Sequence, residues 1–247
     1  MTASLKLRKA AEVSPNFDRL PGIYRWLEAL SFGPWLWRCR CAFLGEMKSA
    51  KRALVLGDGD GRFTARLLSE NPTVEVDAVD ISPAMLGALV RRSGENRNRV
   101  KATAADLREW SPLESEGAQQ YDLVVTHFVL DCLSTSEVEG LALRIRPFLA
   151  PDGMWVISEF AIPEGRFGRC VARPLVRFLY WAFALMTGLR VSKLPDHNGA
   201  LEGAGFQLVR QKSWLGGLLV SESWCASSAI FPLATRSLAL GERRHAH

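Results

Sequence analysis

The sequence predicts an α/β protein built on a doubly wound, mostly parallel sheet. Two observations predict it. From residue 52 onward, short apolar runs alternate with helix-compatible segments, the pattern of strands buried on both faces and joined by crossover helices. The first run also leads directly into a glycine turn, Arg52-Ala-Leu-Val-Leu-Gly-Asp-Gly-Asp-Gly61, and the second apolar run ends on Asp80. That sequence reads as strand, glycine turn, helix and acidic strand end.

Taken in order, residues 1 to about 12 read as a frayed or helical arm, followed by turn and capping signals in Ser14-Pro15-Asn16-Phe17-Asp18-Arg19. Tyr24 to Phe43, with Trp26, Trp35 and Trp37, suggests two or three short helices broken at Gly33-Pro34. Then come a strand at Ala53–Leu56, a helix at Arg62–Ser69, a strand at Val74–Val79 and a helix at Pro83–Arg92. A short strand over Val100–Thr103 precedes an exposed segment reaching Gln120, and Asp122–Thr126 is the fourth strand. Ser134-Thr-Ser-Glu137 has the form of a capping box opening a helix that ends near Pro147. Ala150-Pro-Asp-Gly153 reads as a turn before a strand at Met154–Phe160. Residues 163 to 196 interrupt the alternation with an apolar helix, roughly Val171–Leu189. A short helix near Gly199–Glu202 and the turn Gly203-Ala-Gly205 lead to strands at Phe206–Ser213 and Leu218–Ala226, seven strands in all. The organisation expected is a helical cap over 1–50, one domain over 51–228 with the insert at about 163–196, and a loose tail over 229–247.

Composition bounds the function. At 247 residues and 48% hydrophobic, the chain suits one α/β domain with an elaboration or two. The 31 Lys plus Arg against 26 Asp plus Glu leave +5, with the arginines scattered, so weak attraction to anionic surfaces is expected. No basic stripe interleaved with aromatics asks for nucleic acid. The five cysteines, at 39, 41, 132, 170 and 225, form no Cys-x-x-Cys pair and have no histidine at metal-ligand spacing, which reads as reduced structural thiols and no metal. The amino terminus lacks the apolar core of a secretion signal, so a cytoplasmic placement is expected.

Glycines at 57, 59 and 61 let the backbone pass close beneath a ligand where a Cβ would collide, and Asp80 stands where a carboxylate accepts ribose hydroxyls. A nucleoside cofactor is the natural occupant. The spacing is Gly-x-Gly-x-Gly, with Arg62 where a dinucleotide fingerprint has its third glycine. Asp58 and Asp60 make the loop acidic, and one carboxylate about 5 Å from a phosphate, at an effective dielectric of about 20, repels it by roughly 3 kcal/mol. A cofactor carrying a sulfonium and an ammonium suffers no such repulsion, so S-adenosyl-L-methionine fits this loop better than NAD.

Over residues of about 50 to 226 the chain resembles class I S-adenosylmethionine-dependent methyltransferases. Leu54-Val-Leu-Gly-Asp-Gly-Asp-Gly61, Asp80-Ile-Ser-Pro-Ala-Met-Leu86, Ala104-Ala-Asp106-Leu107, Tyr121-Asp-Leu-Val-Val-Thr126 and Leu149-Ala-Pro-Asp-Gly153 match successive motifs of that family in order. A finer resemblance is to ubiquinone and menaquinone biosynthesis methyltransferases, in Phe17-Asp18-Arg19-Leu20, Tyr24, Leu30-Ser-Phe-Gly33 and Trp37-Arg38. One departure is Val55, where the family usually has an acidic residue; Asp58 or Asp60 could compensate. The resemblance implies a Rossmann-like sheet of seven strands with the last antiparallel. It implies that Gly57, Asp58, Gly59 and Gly61 line the methionine portion, that Asp80 holds the ribose, and that Ile81 packs on the adenine with Met85 at its rim. Asp106 would meet the adenine amino group beside Leu107, and the backbone near Thr126 and His127 would face the amine.

Methyl transfer is an in-line displacement that asks mainly for alignment and water exclusion, plus one base or none. The candidates at the strand ends are His127 and Asp131 after the fourth strand and Glu159 after the fifth. His127 has the pKa range to take a proton from a phenol or an activated carbon, and Asp131, four residues on, could orient it if the segment is helical. Tyr24 could close over the cofactor or simply pack the cap, and His197 with Asp196 reads as a surface loop pair. The insert's longest uncharged run, Phe178 to Leu189, is too short to span a bilayer. It reads as a lid over the substrate or as a peripheral contact at the inner face of a membrane, with Tyr180 and Trp181 at headgroup level. Either favours a small lipophilic or aromatic acceptor. A non-catalytic cofactor-binding protein and a nicotinamide-dependent oxidoreductase are the rival readings; the oligomeric state is not legible.

Overall fold

The apolar runs that alternate along the chain become strands, the inner five largely buried on both faces and the two at the sheet edges largely exposed. They are β1 (Arg52–Leu56), β2 (Glu75–Asp80), β3 (Val100–Ala104), β4 (Tyr121–His127), β5 (Leu149–Phe160), β6 (Phe206–Trp214) and β7 (Leu219–Ala226). The computed structural model describes residues 32–112, 120–178 and 194–227. Within them the seven strands form one sheet in the order β3-β2-β1-β4-β5-β7-β6, parallel from β3 to β5. β7 runs antiparallel to both its neighbours, Ile157 opposite Glu222 and Gln211 opposite Glu222. The Rossmann-like sheet with a reversed last strand is therefore the fold observed.

Helices cover both faces. α1 (Pro34–Arg40) precedes the sheet, α2 (Arg62–Glu70) and α3 (Pro83–Arg92) follow β1 and β2, and α4 (Thr135–Ile145) follows β4. The insert contributes α5 over 165–178, α-helical at Gly165–Phe167, π-helical at Gly168–Ala172 and α-helical again over 173–178; α6 (His197–Gly203) precedes β6. Val55, Phe63, Leu67, Leu89, Leu123 and Val125 fill the core on the α2 and α3 side. Leu54, Val124, Leu141, Trp155, Leu201 and Trp224 fill the α4 and α6 side. Local chemistry sets the helix starts: Ser82 Oγ accepts from Met85 N, and at Ser134 both bonds of the capping box form.

Two expectations shift. The turn at 150–153 lies inside β5 as a bulge, because Leu149 sits opposite Tyr121 while Met154 already sits opposite Leu123. The segment expected to be exposed after β3 buries Leu107 and Trp110, whose carbonyls accept from Arg144 on α4 at 2.8 Å each. With Arg108 O accepting from it as well, at 3.1 Å, this arginine satisfies three loop carbonyls and holds the loop down over the core.

The cap and the insert meet over the carboxyl ends of β4 and β5 and the amino end of β7. Ser158 Oγ donates to Cys39 O (3.3 Å) and Cys39 Sγ donates to Val220 O (3.2 Å), tying α1 to the sheet. Phe32 and Leu36 share an apolar cluster with Ala172 and Val176 of α5 and with Phe128, Leu218 and Leu219. Tyr24, Tyr180, Trp181 and the tail lie outside the described residues. No helix among the described residues is long and apolar enough to cross a membrane.

Candidate cofactor and active site

The glycine loop between β1 and α2 has φ of +68°, +59° and +77° at Gly57, Gly59 and Gly61, the left-handed region that favours glycine. The three differ in what a Cβ would meet. At Gly57 it would lie 2.4 Å from Val129 Cγ2, and at Gly61 2.5 Å from the Leu89 Cα on α3. At Gly59, among the described residues, only Met85 Sδ comes near, at 4.0 Å. The close approaches at 57 and 61 are thus between parts of the protein, which corrects the sequence expectation that all three glycines make room for a ligand. Of the three, Gly59 alone opens onto space that no described residue fills.

The loop carboxylates turn inward. Asp58 Oδ2 accepts from Thr64 N (2.8 Å) and Thr64 Oγ1 (2.7 Å), serving the exposed amides at the start of α2, and burial pushes its pKa up to about 6. Asp60 pairs with Arg92 at 2.8 Å and Arg62 at 3.4 Å. Neither carboxylate therefore stands free to repel a phosphate as the sequence argument supposed. Both structural roles come from partners that the loop sequence does not contain.

Asp80, at the end of β2, accepts from Gly59 N (3.3 Å) through Oδ2 and from Ser82 N (2.9 Å) through Oδ1. Burial raises its pKa against these bonds. A carboxylate has about four lone-pair sites, so Asp80 keeps acceptor capacity beyond these amide bonds. Ile81 and Met85 beside it are half-buried. Asp106 lies at the end of β3 with both oxygens engaged by Arg108, which holds its carboxyl below the usual range. The side chains of Leu107 and Thr126 face the core, Thr126 Oγ1 accepting from Trp155 Nε1 at 3.0 Å. What these two positions can offer a ligand is backbone.

His127 does not have the surroundings of a base. It is 4% exposed, its ring stands edge-on to Phe63 at 4.5 Å, and neither nitrogen has a hydrogen-bond partner among the described residues. Burial and the Arg40 charge hold its pKa well below the ordinary value, so it is neutral at physiological pH. Nor does Asp131 orient it. The chain after β4 turns through Phe128, a non-glycine residue at φ +55°, into a short 3-10 turn at Leu130–Cys132 rather than continuing as a helix. Asp131 is half-buried on that turn.

Two residues gain roles that spacing did not reveal. Glu159, 1% exposed, accepts from Val129 N (3.1 Å) and Leu130 N (2.9 Å) through Oε1, fixing the turn whose Val129 presses on Gly57. Burial, reinforced by Asp131, raises its pKa well above the ordinary range, so it is held as the neutral acid. Arg40, on α1, places its guanidinium over the Phe128 ring (5.4 Å) and acts electrostatically on both Asp58 and His127. It brings a cation to the glycine loop, and only folding puts residue 40 there. His197 is another correction: its Nε2 lies 3.1 Å from Oε2 of buried Glu222, while Asp196 caps α6 through Gly199 N at 3.0 Å.

The residues present suit S-adenosylmethionine. Gly59 leaves a space that a Cβ would fill, Asp80 has acceptors that would suit ribose hydroxyls, and Arg40 brings a cation that would suit a carboxylate. Among the described residues no cluster of three or more His, Cys, Asp or Glu could hold a metal.

Known proteins agree at this level. Residues 54–155 match a family model described as a methyltransferase domain. Trans-aconitate 2-methyltransferase of Mycobacterium tuberculosis is 30% identical over 131 residues, covering 51% of this chain and 45% of that protein. The chain thus spans about half the length of that curated relative. The ubiquinone/menaquinone biosynthesis C-methyltransferase UbiE of Syntrophotalea carbinolica is 26% identical over 243 residues, 89% of this chain and 96% of that one. Among solved structures, the mitomycin 7-O-methyltransferase MmcR superposes with a TM-score of 0.64 at 16% identity, over 85% of this chain and 59% of that one, a likeness of fold. The methyltransferase-domain match over residues 54–155, the sheet order and the glycine loop agree with one another, and they make the chain similar to class I S-adenosylmethionine-dependent methyltransferases.

Proposed function

We propose that this protein transfers the methyl group of S-adenosylmethionine to a small lipophilic or aromatic acceptor. The observation that carries it is the open space at Gly59, bordered by Met85 and closed at one side by the Asp80 carboxylate. Asp80 would hold the ribose, Ile81 and Met85 the adenine, Asp106 the adenine amino group, and Arg40 the cofactor's carboxylate. The bound cofactor supplies an electrophilic methyl on a sulfonium. What the chain supplies is alignment and a dry site.

An apolar acceptor is supported by what stands at the carboxyl ends of β4 and β5. Phe128, Phe160 and Phe32 form a ring cluster with centroids 5.1 and 5.2 Å apart, continuous with Leu218 and Leu219. Aromatic rings there favour a flat apolar molecule over a charged one. The full-length likeness to a quinone C-methyltransferase supports a quinone-precursor-like acceptor. His127, buried and neutral with its pKa depressed, is a wall of the site. Asp131 is the remaining candidate for removing a proton, and an acceptor that is already acidic needs none. A cytoplasmic setting, peripheral to a membrane, accords with such an acceptor.

Calorimetric titration with S-adenosylmethionine, S-adenosylhomocysteine and NAD, on the protein and on Asp80→Ala, tests the reading. Binding of both adenosyl compounds, absence of NAD binding and loss of affinity in the variant are expected. NAD binding, or no adenosyl binding, would refute it; binding without turnover on any quinone-like or phenolic acceptor would favour a non-catalytic role.

A further inference from the structure

Helix α5 leaves most of its surface uncovered. Gly168, Ala172 and Val176 form its buried ridge. Outside that ridge Phe167 (43% exposed) and Val171 (49% exposed) stand one turn apart, with Ile162 (36% exposed) just ahead of the helix. Arg166, Arg169, Arg173 and Arg177 are exposed among them, and no acidic residue falls between 165 and 178, so the run carries four positive charges and no negative one. Among the described residues none of these arginines has a carboxylate at salt-bridge distance.

We propose that α5 seats the protein on an anionic lipid bilayer. Phe167, Val171 and Ile162 enter the boundary between headgroups and acyl chains, while the arginines, with apolar stems and forked heads, meet the lipid phosphates. Charge complementarity selects the partner: a helix of one sign needs an anionic surface, and the chain's +5 adds to the attraction. The apolar members select a bilayer over a nucleic acid, since Val171 and Ile162 have no ring face on which a base could stack. The face also adjoins the acceptor end of the fold, because α5 packs through Ala172 and Val176 into the cluster that holds Phe128 and Phe160. The seat itself does not depend on the methyltransferase reading.

Co-sedimentation of the full chain with vesicles tests it. The protein is expected to pellet with equal parts phosphatidylcholine and phosphatidylglycerol, to stay in solution with phosphatidylcholine alone, and to be released by salt. Arg169→Gln with Arg173→Gln is expected to lower the partition coefficient about 25-fold, about fivefold per arginine. Phe167→Ser with Val171→Ser is expected to weaken binding at an unchanged melting temperature; if that pair unfolds the protein, the arginine pair, which spares the buried ridge, decides. Failure to pellet, equal binding to neutral vesicles, or variants that bind like the parent would overturn the proposal. So would a single-stranded oligonucleotide that displaces the vesicles and still binds the serine variant.

Discussion

Substituting alanine at the three loop glycines separates what the protein needs from what the cofactor needs. All three have positive φ, so each alanine carries the left-handed penalty of roughly 1–2 kcal/mol. At Gly59 no described residue but Met85, its Sδ at 4.0 Å, approaches the new methyl, and the cost stops there. At Gly61 the methyl lies 2.5 Å from the Leu89 Cα, so α3 itself must shift, adding roughly 1–3 kcal/mol of overpacking. Gly57→Ala meets a side chain, Val129 Cγ2 at 2.4 Å, and falls between them. For a domain of this size about 1 kcal/mol moves the melting temperature by roughly 2–4 °C. Differential scanning fluorimetry should therefore show Gly59→Ala melting about 2–8 °C below the parent, and Gly61→Ala about 4–20 °C below it. Titration with S-adenosylmethionine should show the opposite ranking per degree lost, Gly59→Ala losing most of its affinity while still folded. A Gly59→Ala protein that binds the cofactor as the parent does would place the cofactor elsewhere. One as unstable as Gly61→Ala would refute the steric argument.

Glu159→Gln keeps a carbonyl oxygen for Val129 N and Leu130 N and should leave the melting temperature within a few degrees, whereas Glu159→Ala strands two buried amides at about 1–3 kcal/mol each and should weaken cofactor binding through the Val129 contact; equal behaviour of the two variants would contradict the positioning role. His127→Leu should retain turnover within about tenfold of the parent, where loss of a general base costs about 100-fold or more, so a collapse of kcat with normal cofactor affinity would restore His127 as a base. The folded pKa of Asp58, about 6, lies above the unfolded value, so the folded state holds the extra proton and this residue's contribution to stability declines as pH rises from about 4 to about 6; Asp58→Asn should flatten that part of a denaturation-versus-pH curve, and an unchanged slope would disprove it. His127 works in the opposite direction, its depressed pKa removing stability as pH falls below the ordinary histidine value, and His127→Leu should abolish that loss.

Much of the scaffold was legible because its signals are local. Apolar runs placed six of the seven strands to within a residue or so and the end of β5, whose start lies five residues earlier than expected; Ser134 and Glu137 announced a capping box that forms, and three glycines followed by Asp80 marked the loop and the strand end that face each other. The finer roles were not legible, because they depend on residues far along the chain. His127 looks like a base from its type and its place after β4, and burial against Phe63 with the Arg40 charge lowers its proton affinity. Asp58 and Asp60 looked like the loop's charge until Thr64 and Arg92 claimed them.

The sequence by itself determined the alternation of strands and helices, the left-handed turn and the acidic residue at its far side, since backbone geometry and periodicity act over a few residues. Tertiary structure alone decided which glycine faces open space among the described residues, which carboxyls have their pKa raised by burial, and that Arg40 reaches the loop from a helix before the sheet begins. Steric clash and desolvation are set by whatever packs across the fold, and that neighbour is invisible in the local sequence.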